Sequence, residues 1–295
     1  MIDPVVLNRL LTADGPVPTH ALGITRDDLA ALEAAGCRLD DHPQHGLRLL
    51  SAGLGCWVDY IEQRHADRLG RRMLVFRETT STQDVARQAQ VADGAVITTD
   101  HQTGGRGRLG RRWVAPPGAA LLMTAVVRHT ESTPVDRLML AAACAVAEAV
   151  ESLCEQQVQI RWPNDVLLNG RKLAGILVET ANNLAMIGIG LNVSAHPADL
   201  NATSLGAESI HVDRLHLLDV LLDRLDFDVR HATDAQLLRC WRARSCLTGQ
   251  RVTVSVDSRQ LTGRVIDLDP AHGLLMQIEQ GPITTLPAAT TSLIV

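Results

Sequence analysis

The segment His101-Gln-Thr-Gly-Gly-Arg-Gly-Arg-Leu-Gly-Arg-Arg-Trp113 sets Arg106, Arg108, Arg111 and Arg112 among Gly104, Gly105, Gly107 and Gly110. Glycines let backbone N–H groups turn toward an anion, and guanidiniums grip phosphate or carboxylate through forked donors. The segment therefore reads as an anion-binding loop. Arginine–glycine tracts also contact RNA, and a solvated loop is the plainest alternative. The sequence has no Gly-x-x-x-x-Gly-Lys-[Ser/Thr] string, which excludes a P-loop, and no dinucleotide fingerprint opens a helix. A second group is Arg161-Trp-Pro-Asn-Asp165, followed by Arg171-Lys-Leu-Ala-Gly-Ile-Leu-Val-Glu179. Pro-Asn-Asp is a turn signal at the end of a strand, so Asp165 is expected at the same end of the sheet as Lys172, which opens the next strand. A carboxylate and an ammonium in one place suit a magnesium nucleotide, with the acid on the metal and the base on phosphate. A surface turn with an ion pair is the simpler reading. Lys172 is the single lysine among 28 basic residues. A GC-rich genome produces such a bias, yet one retained ammonium marks a position that needs a compact point charge. A third group, Gly188-Ile-Gly-Leu-Asn192, has residues small enough for a flat ligand to lie against a strand.

These groups need a scaffold. From Arg72 to about Val193 strands and helices alternate. Strands are expected over 73–76, 94–99, 121–128, 158–162, 172–179 and 186–193, with helices over 81–92 and 135–154. Further helices are expected over 212–230 and 234–244. From Gly249 onward come short β-rich runs (251–256, 261–267, 274–279, 283–286) broken by Gly, Asp and Pro, the pattern of a small barrel. Residues 1–65 read as short helices over 4–11, 25–35 and 57–69, with a hairpin over 37–50. A chain of 295 residues, 46% hydrophobic and 21% charged, builds two or three domains and buries a core without disulfides. No apolar run spans a membrane, and the start lacks the marks of a signal peptide, so the expected location is cytoplasmic. Cys37, Cys56, Cys144, Cys154, Cys240 and Cys246 form no Cys-x-x-Cys or zinc pattern and are expected as free thiols.

Taken together, Thr80-Ser-Thr-Gln83, Gln102 with Gly105-Arg-Gly-Arg108, the 161–165 and 171–179 strings and Gly188–Asn192 make the chain resemble the three-domain biotin protein ligases that double as biotin operon repressors. The order and spacing fit from about residue 73 to 250, and the terminal barrel fits as well. The resemblance implies an α+β fold. A class II aminoacyl-tRNA-synthetase-like biotin ligase catalytic domain would occupy 66–246, with an SH3-like β-barrel over 247–295 and a truncated winged-helix-like domain over 1–65. It implies two steps. Biotin's carboxylate attacks the α-phosphate of MgATP to give biotinyl-5′-AMP, and a lysine of the biotin carboxyl carrier protein of acetyl-CoA carboxylase then takes the biotinyl group. By the same resemblance Ser81, Thr82, Gln83, Gln102, Arg106, Gly107, Arg108, Lys172, Gly175, Gly188 and Gly190 bind biotin. Arg108, Arg111, Trp113, Asn164 and Asn192 bind ATP or the adenylate. Lys172, Arg108 and Asp165 are the catalytic set, with Asp165 toward Mg2+. No tightly bound cofactor is implied, and the expected assembly is a monomer or homodimer. Gln83 stands where asparagine is more usual, and Leu109 where a basic residue often stands. A lipoate ligase on the same fold is the rival enzyme; a pure binding module would leave Lys172 and Asp165 without a task.

The first 65 residues fit least well. Ala21 to Arg26 resembles the turn into a recognition helix and Leu39 to Leu49 the wing. The helix after Arg26 is about one turn short, and residues 16–20 leave little room for the helix before it. This region holds five basic and nine acidic residues, a net of −4, the wrong sign for a phosphate backbone. The expectation is a worn winged helix that has lost operator binding, against the alternative of a bifunctional ligase and repressor.

Overall fold

The computed structural model describes residues 2–130, 133–198, 201–257 and 259–294. The chain opens with α1 (Pro4–Thr12), capped by the Asp3 carboxylate, which accepts the Val5 N–H at 2.8 Å. Next come α2 (Thr19–Leu22), α3 (Arg26–Ala34), the hairpin β1 (Arg38–His42) and β2 (Gly46–Ser51), and α4 (Trp57–Arg64). Thr25 and Asp28 close a capping box on α3. The helix for which residues 16–20 leave little room is present, reduced to one turn. Pro18 leads into it and Gly23, left-handed at φ 65°, stops it. Two short helices and a two-stranded hairpin thus follow α1, the first of these helices a single turn.

Seven strands form the central sheet: β3 (Arg72–Thr79), β4 (Ala95–Gln102), β5 (Ala120–Arg128), β6 (Gln159–Arg161), β7 (Asp165–Leu168), β8 (Arg171–Ala181) and β9 (Leu184–Asn192). The spatial order is β3-β4-β5-β9-β8-β7-β6. Only β3 and β4 run parallel; the other neighbours are antiparallel. The expected polar turn between 162 and 172 contains β7, since Val166, Leu167 and Leu168 are all buried and pair with β8. Between β3 and β4 lies α5 (Thr82–Gln88), which ends sooner than the pattern predicts because Gln90 takes a positive φ of 47°. On one face lie α6 (Val135–Leu153) and α7 (Arg214–Arg230); the alanines of α6 allow close approach, and twelve of its side chains are buried. After α8 (Asp234–Arg244), the strands β10 (Arg251–Val256), β11 (Arg259–Asp269), β12 (Gly273–Ile278), β13 (Ile283–Leu286) and β14 (Thr291–Ile294) make an antiparallel sheet in the order β13-β12-β11-β10-β14. This is the SH3-like unit, and its last strand lies beyond those the sequence pattern suggests.

The three regions share one apolar core, which runs from Leu7 and Trp57 through Ile187 and Leu218 to Val254 and Met276. Polar ties add to it. Arg64 and His65 meet the buried Asp219 of α7 at 2.9 and 2.8 Å, and Asp213 accepts the Ala52 N–H at 2.7 Å. The first unit therefore sits directly on the sheet-bearing one. Among the described residues no helix is long and apolar enough to cross a membrane.

Candidate active site

Register places the site. Across β5, β9, β8 and β7, Leu122, Gly190, Gly175 and Asp165 are direct neighbours in one row. Two residues along, Thr124, Gly188 and Leu177 form the next row, on the same face because side chains alternate along a strand. Lys172 is three residues from Gly175, so strict alternation would send it to the opposite face. The ladder between β7 and β8 shifts, pairing Val166 with Ala174 but Leu167 with Lys172. That shift is a bulge with Leu173 as the extra residue, and it turns Lys172 back toward Asp165 and Gly175. The Lys172 carbonyl and N–H are held by Thr203 and Asn201, which brings a further short segment against the start of β8.

Above these rows lies a cavity of about 580 Å³. Each substrate-binding and catalytic residue that the resemblance implies lines it, including Ser81, Gly107, Arg111 and Asn164, whereas Gly104, Gly105 and Gly110 of the loop do not. The floor is made of two amides whose orientation the protein fixes. Gln102 Oε1 accepts the Thr82 N–H at 2.9 Å and the Thr82 hydroxyl at 3.2 Å, so only its NH2 remains to face a ligand. Gln83 is reversed: its Nε2 donates to the carbonyls of Leu177 at 3.0 Å and Met186 at 3.3 Å, and its buried Oε1 has no partner. Gly188 makes room for this amide, because a Cβ there would lie 2.7 Å from Gln83 Nε2.

The flat group expected against Gly190 is supplied by the protein itself. The Trp113 indole lies on Gly190 and Gly175, where Cβ atoms would meet it at 2.4 and 2.8 Å. Its Nε1 is buried without a partner, as is Asn192 Oδ1, whose amide NH2 donates to the Thr203 carbonyl at 2.9 Å. An orphaned donor and two orphaned acceptors around one cavity are the mark of a ligand's polar contacts.

The cations form the remaining wall. Lys172 Nζ sits 2.5 Å from Asp165 Oδ1 and 5.5 Å from the centre of the Trp113 ring. Arg161, which sequence reasoning placed in the motif without a role, takes the other Asp165 oxygen at 2.8 Å. Both carboxylate oxygens are thus engaged, although the sequence reading gave Asp165 to Mg2+, and among the described residues no other acidic side chain lines the cavity. Arg106 rests on Asp84 at 2.6 Å and Glu179 at 3.3 Å. Arg108 reaches across to the terminal barrel, donating to the carbonyls of Ala288 and, at 2.8 Å, Thr291. Burial pulls its guanidinium below the ordinary arginine value, opposed by Asp165. The loop between them closes on itself through Gly107 N–H to the Arg111 carbonyl at 2.7 Å and Trp113 N–H to the Gly105 carbonyl at 3.0 Å. Ser292, on β14, completes the wall. No local sequence signal pointed to it, because its place depends on how the barrel packs.

A cavity with an amide floor and a cationic wall, on a mixed sheet with a glycine–arginine loop, defines a site for a small neutral head group joined to an anion. Residues 75–194 match the Biotin/lipoate A/B protein ligase family. A biotin–[acetyl-CoA-carboxylase] ligase from Mycobacterium tuberculosis is 37% identical over 224 residues, 70% of this chain and 84% of that protein. The bifunctional ligase/repressor BirA of Bacillus subtilis is 29% identical over 238 residues, 72% of this chain and 71% of BirA. Among solved structures, a biotin protein ligase from Aquifex aeolicus in complex with biotin and ATP is similar with a TM-score of 0.67 and 26% identity, covering 76% of this chain and 99% of that one. The chain belongs to the biotin protein ligase family.

Proposed function

We propose that this protein is an ATP-dependent biotin–carrier ligase. The observation that carries the reading is the pair of fixed amides, Gln102 as donor and Gln83 as acceptor, on the floor of a cavity whose wall is cationic. A cyclic urea offers one acceptor oxygen and N–H donors, and its valerate tail ends in a carboxylate. In the first step a carboxylate oxygen attacks the α-phosphorus of ATP and pyrophosphate leaves. In the second, a lysine ε-amine of the carrier attacks the carbonyl carbon of the anhydride, AMP leaves and the amine loses a proton. No side-chain nucleophile is needed, so catalysis rests on positioning and on cations facing charge at phosphorus. We assign Lys172 and Arg108 to that charge, Ser81, Thr82, Gln83, Gln102 and Arg106 to biotin, and Trp113, Asn164, Arg111 and Asn192 to the nucleotide. With both its oxygens on cations, Asp165 is read as the residue that orients Lys172. Mg2+ then enters on the phosphate oxygens of ATP, as this ion commonly does. Residues 1–65, 66–246 and 247–295 are taken as the three units, and the carrier as the biotin carboxyl carrier domain of acetyl-CoA carboxylase. Incubation with ATP, labelled biotin and an apo carrier domain tests the reading: label passes to the carrier lysine, and a protein that releases no pyrophosphate with biotin overturns it.

Relatives named as repressors favour a second reading, operator binding. Three observations weigh against it here. The first helix of the reading motif is one turn long, α3 exposes Asp27 and Glu33 beside Arg26, and residues 1–65 carry nine acidic residues against five basic. A fluorescence anisotropy titration at ~50 mM salt, with biotin and ATP present, is expected to give the same weak signal for biotin-promoter and scrambled DNA. Submicromolar binding to the promoter alone would restore the repressor role.

A further inference from the structure

Thr124, in the middle of β5, is fully buried and lies one layer beneath the cavity. Its hydroxyl donates to Thr82 Oγ1 at 2.8 Å. With that oxygen accepting, the Thr82 hydroxyl spends its own hydrogen on Gln102 Oε1 at 3.2 Å, beside the Thr82 N–H on the same oxygen at 2.9 Å. The chain of donors runs one way, from strand β5 to the first residue of α5 to Gln102. Each acceptance makes the next donation stronger in a site that excludes water. Its outward end is the Gln102 NH2.

We propose that Thr124 is a positioning residue for substrate recognition: through Thr82 it holds Gln102 as a hydrogen-bond donor toward the ureido oxygen of biotin. The inference rests on the biotin reading above. Thr124 is absent from the cavity lining and sits in the row with Gly188 and Leu177. Thr124→Val removes the hydroxyl and keeps the branched shape. Thr124→Ser keeps the hydroxyl.

The test is biotin-dependent ATP–pyrophosphate exchange by the full-length protein, with biotin and ATP varied separately. Thr124→Val is expected to raise the KM for biotin about five- to tenfold, the ratio one buried hydrogen bond supports. Its kcat and its KM for ATP stay within about twofold of the unmutated protein, because only ground-state and transition-state binding of the head group is weakened equally. Thr124→Ser restores the KM, and Thr124→Ala shows the same rise without the second methyl group. In a Gln102→Ala background, adding Thr124→Val changes the KM by less than about twofold, because the residue acts through Gln102. Multiplying effects in that double variant, a fall in kcat matching the rise in KM, or a serine variant as impaired as valine would each overturn the proposal. An unmutated protein with no biotin-dependent exchange would instead overturn the biotin reading itself.

Discussion

Replacing Lys172 with alanine is expected to lower biotin-dependent pyrophosphate exchange by about 10²–10³, the usual cost of removing one charge contact made in the transition state. The fold should survive, since Lys172 is partly exposed and its backbone bonds to Asn201 and Thr203 do not involve the side chain. The ammonium reaches the cavity only because the bulge at Leu173 turns it there, and Asp165 at 2.5 Å holds it in place. Lys172→Arg should be nearly as impaired. A planar guanidinium presents a fork where a point charge is needed, beside Asp165 and the Trp113 ring. A thermal melt unchanged from the unmutated protein, together with the rate loss, separates chemistry from folding. Near-normal exchange by the alanine variant would remove Lys172 from the mechanism.

Gly190→Ala carries the second large effect. Gly190 lies between Leu122 on one side and Gly175 on the other in the paired ladder, so the backbone has little freedom to withdraw. The added Cβ would lie 2.4 Å from Trp113 Cε2, and the indole has to leave. Overpacking of this kind costs about 1–3 kcal/mol, which translates to about a 10- to 100-fold rise in the KM for ATP if Trp113 serves the nucleotide. Tryptophan emission gives an independent reading. Trp57, Trp162 and Trp241 are buried away from this contact, so a red shift in the variant reports the displaced Trp113. Unchanged emission with an unchanged KM would show that the indole is not confined by the glycine.

Much of this site was legible because its residues fall in short local strings. The Gly105–Arg108 loop, the Trp162-Pro-Asn-Asp165 turn and Gly188–Asn192 each announce themselves by composition, and each sends residues to the same cavity. What composition could not convey is direction. The bulge in β8 is invisible in Arg171-Lys-Leu-Ala-Gly175, because any of these residues could be the extra one. The sequence suggested a flat ligand against Gly190, and the occupant proved to be a side chain from a loop more than seventy residues earlier. Asp165 was legible as an acid beside Lys172, but the second cation on it, Arg161, was not assigned because i,i+4 neighbours meet readily on a helix and here meet across a tight hairpin. In the fold, β7 was hidden by the strong turn signal of Pro163-Asn164, and α2 by the base rate against helices of one turn. The paired ends of the barrel, where Thr291 and Ser292 approach the site, depend on contacts between residues nearly two hundred positions apart and leave no local trace.

The bond between Arg108 and the Thr291 carbonyl joins positions 183 residues apart. During synthesis the ribosome therefore releases the glycine–arginine loop, the sheet and both long helices well before the strand that completes the wall. Until β14 has emerged and seated itself, Arg108 lacks the Thr291 carbonyl and Ser292 is missing from the cavity's edge. A nascent chain can fold its amide floor early, but it stays open on this side until β14 arrives, so the wall that would retain a reactive adenylate is completed well after the floor.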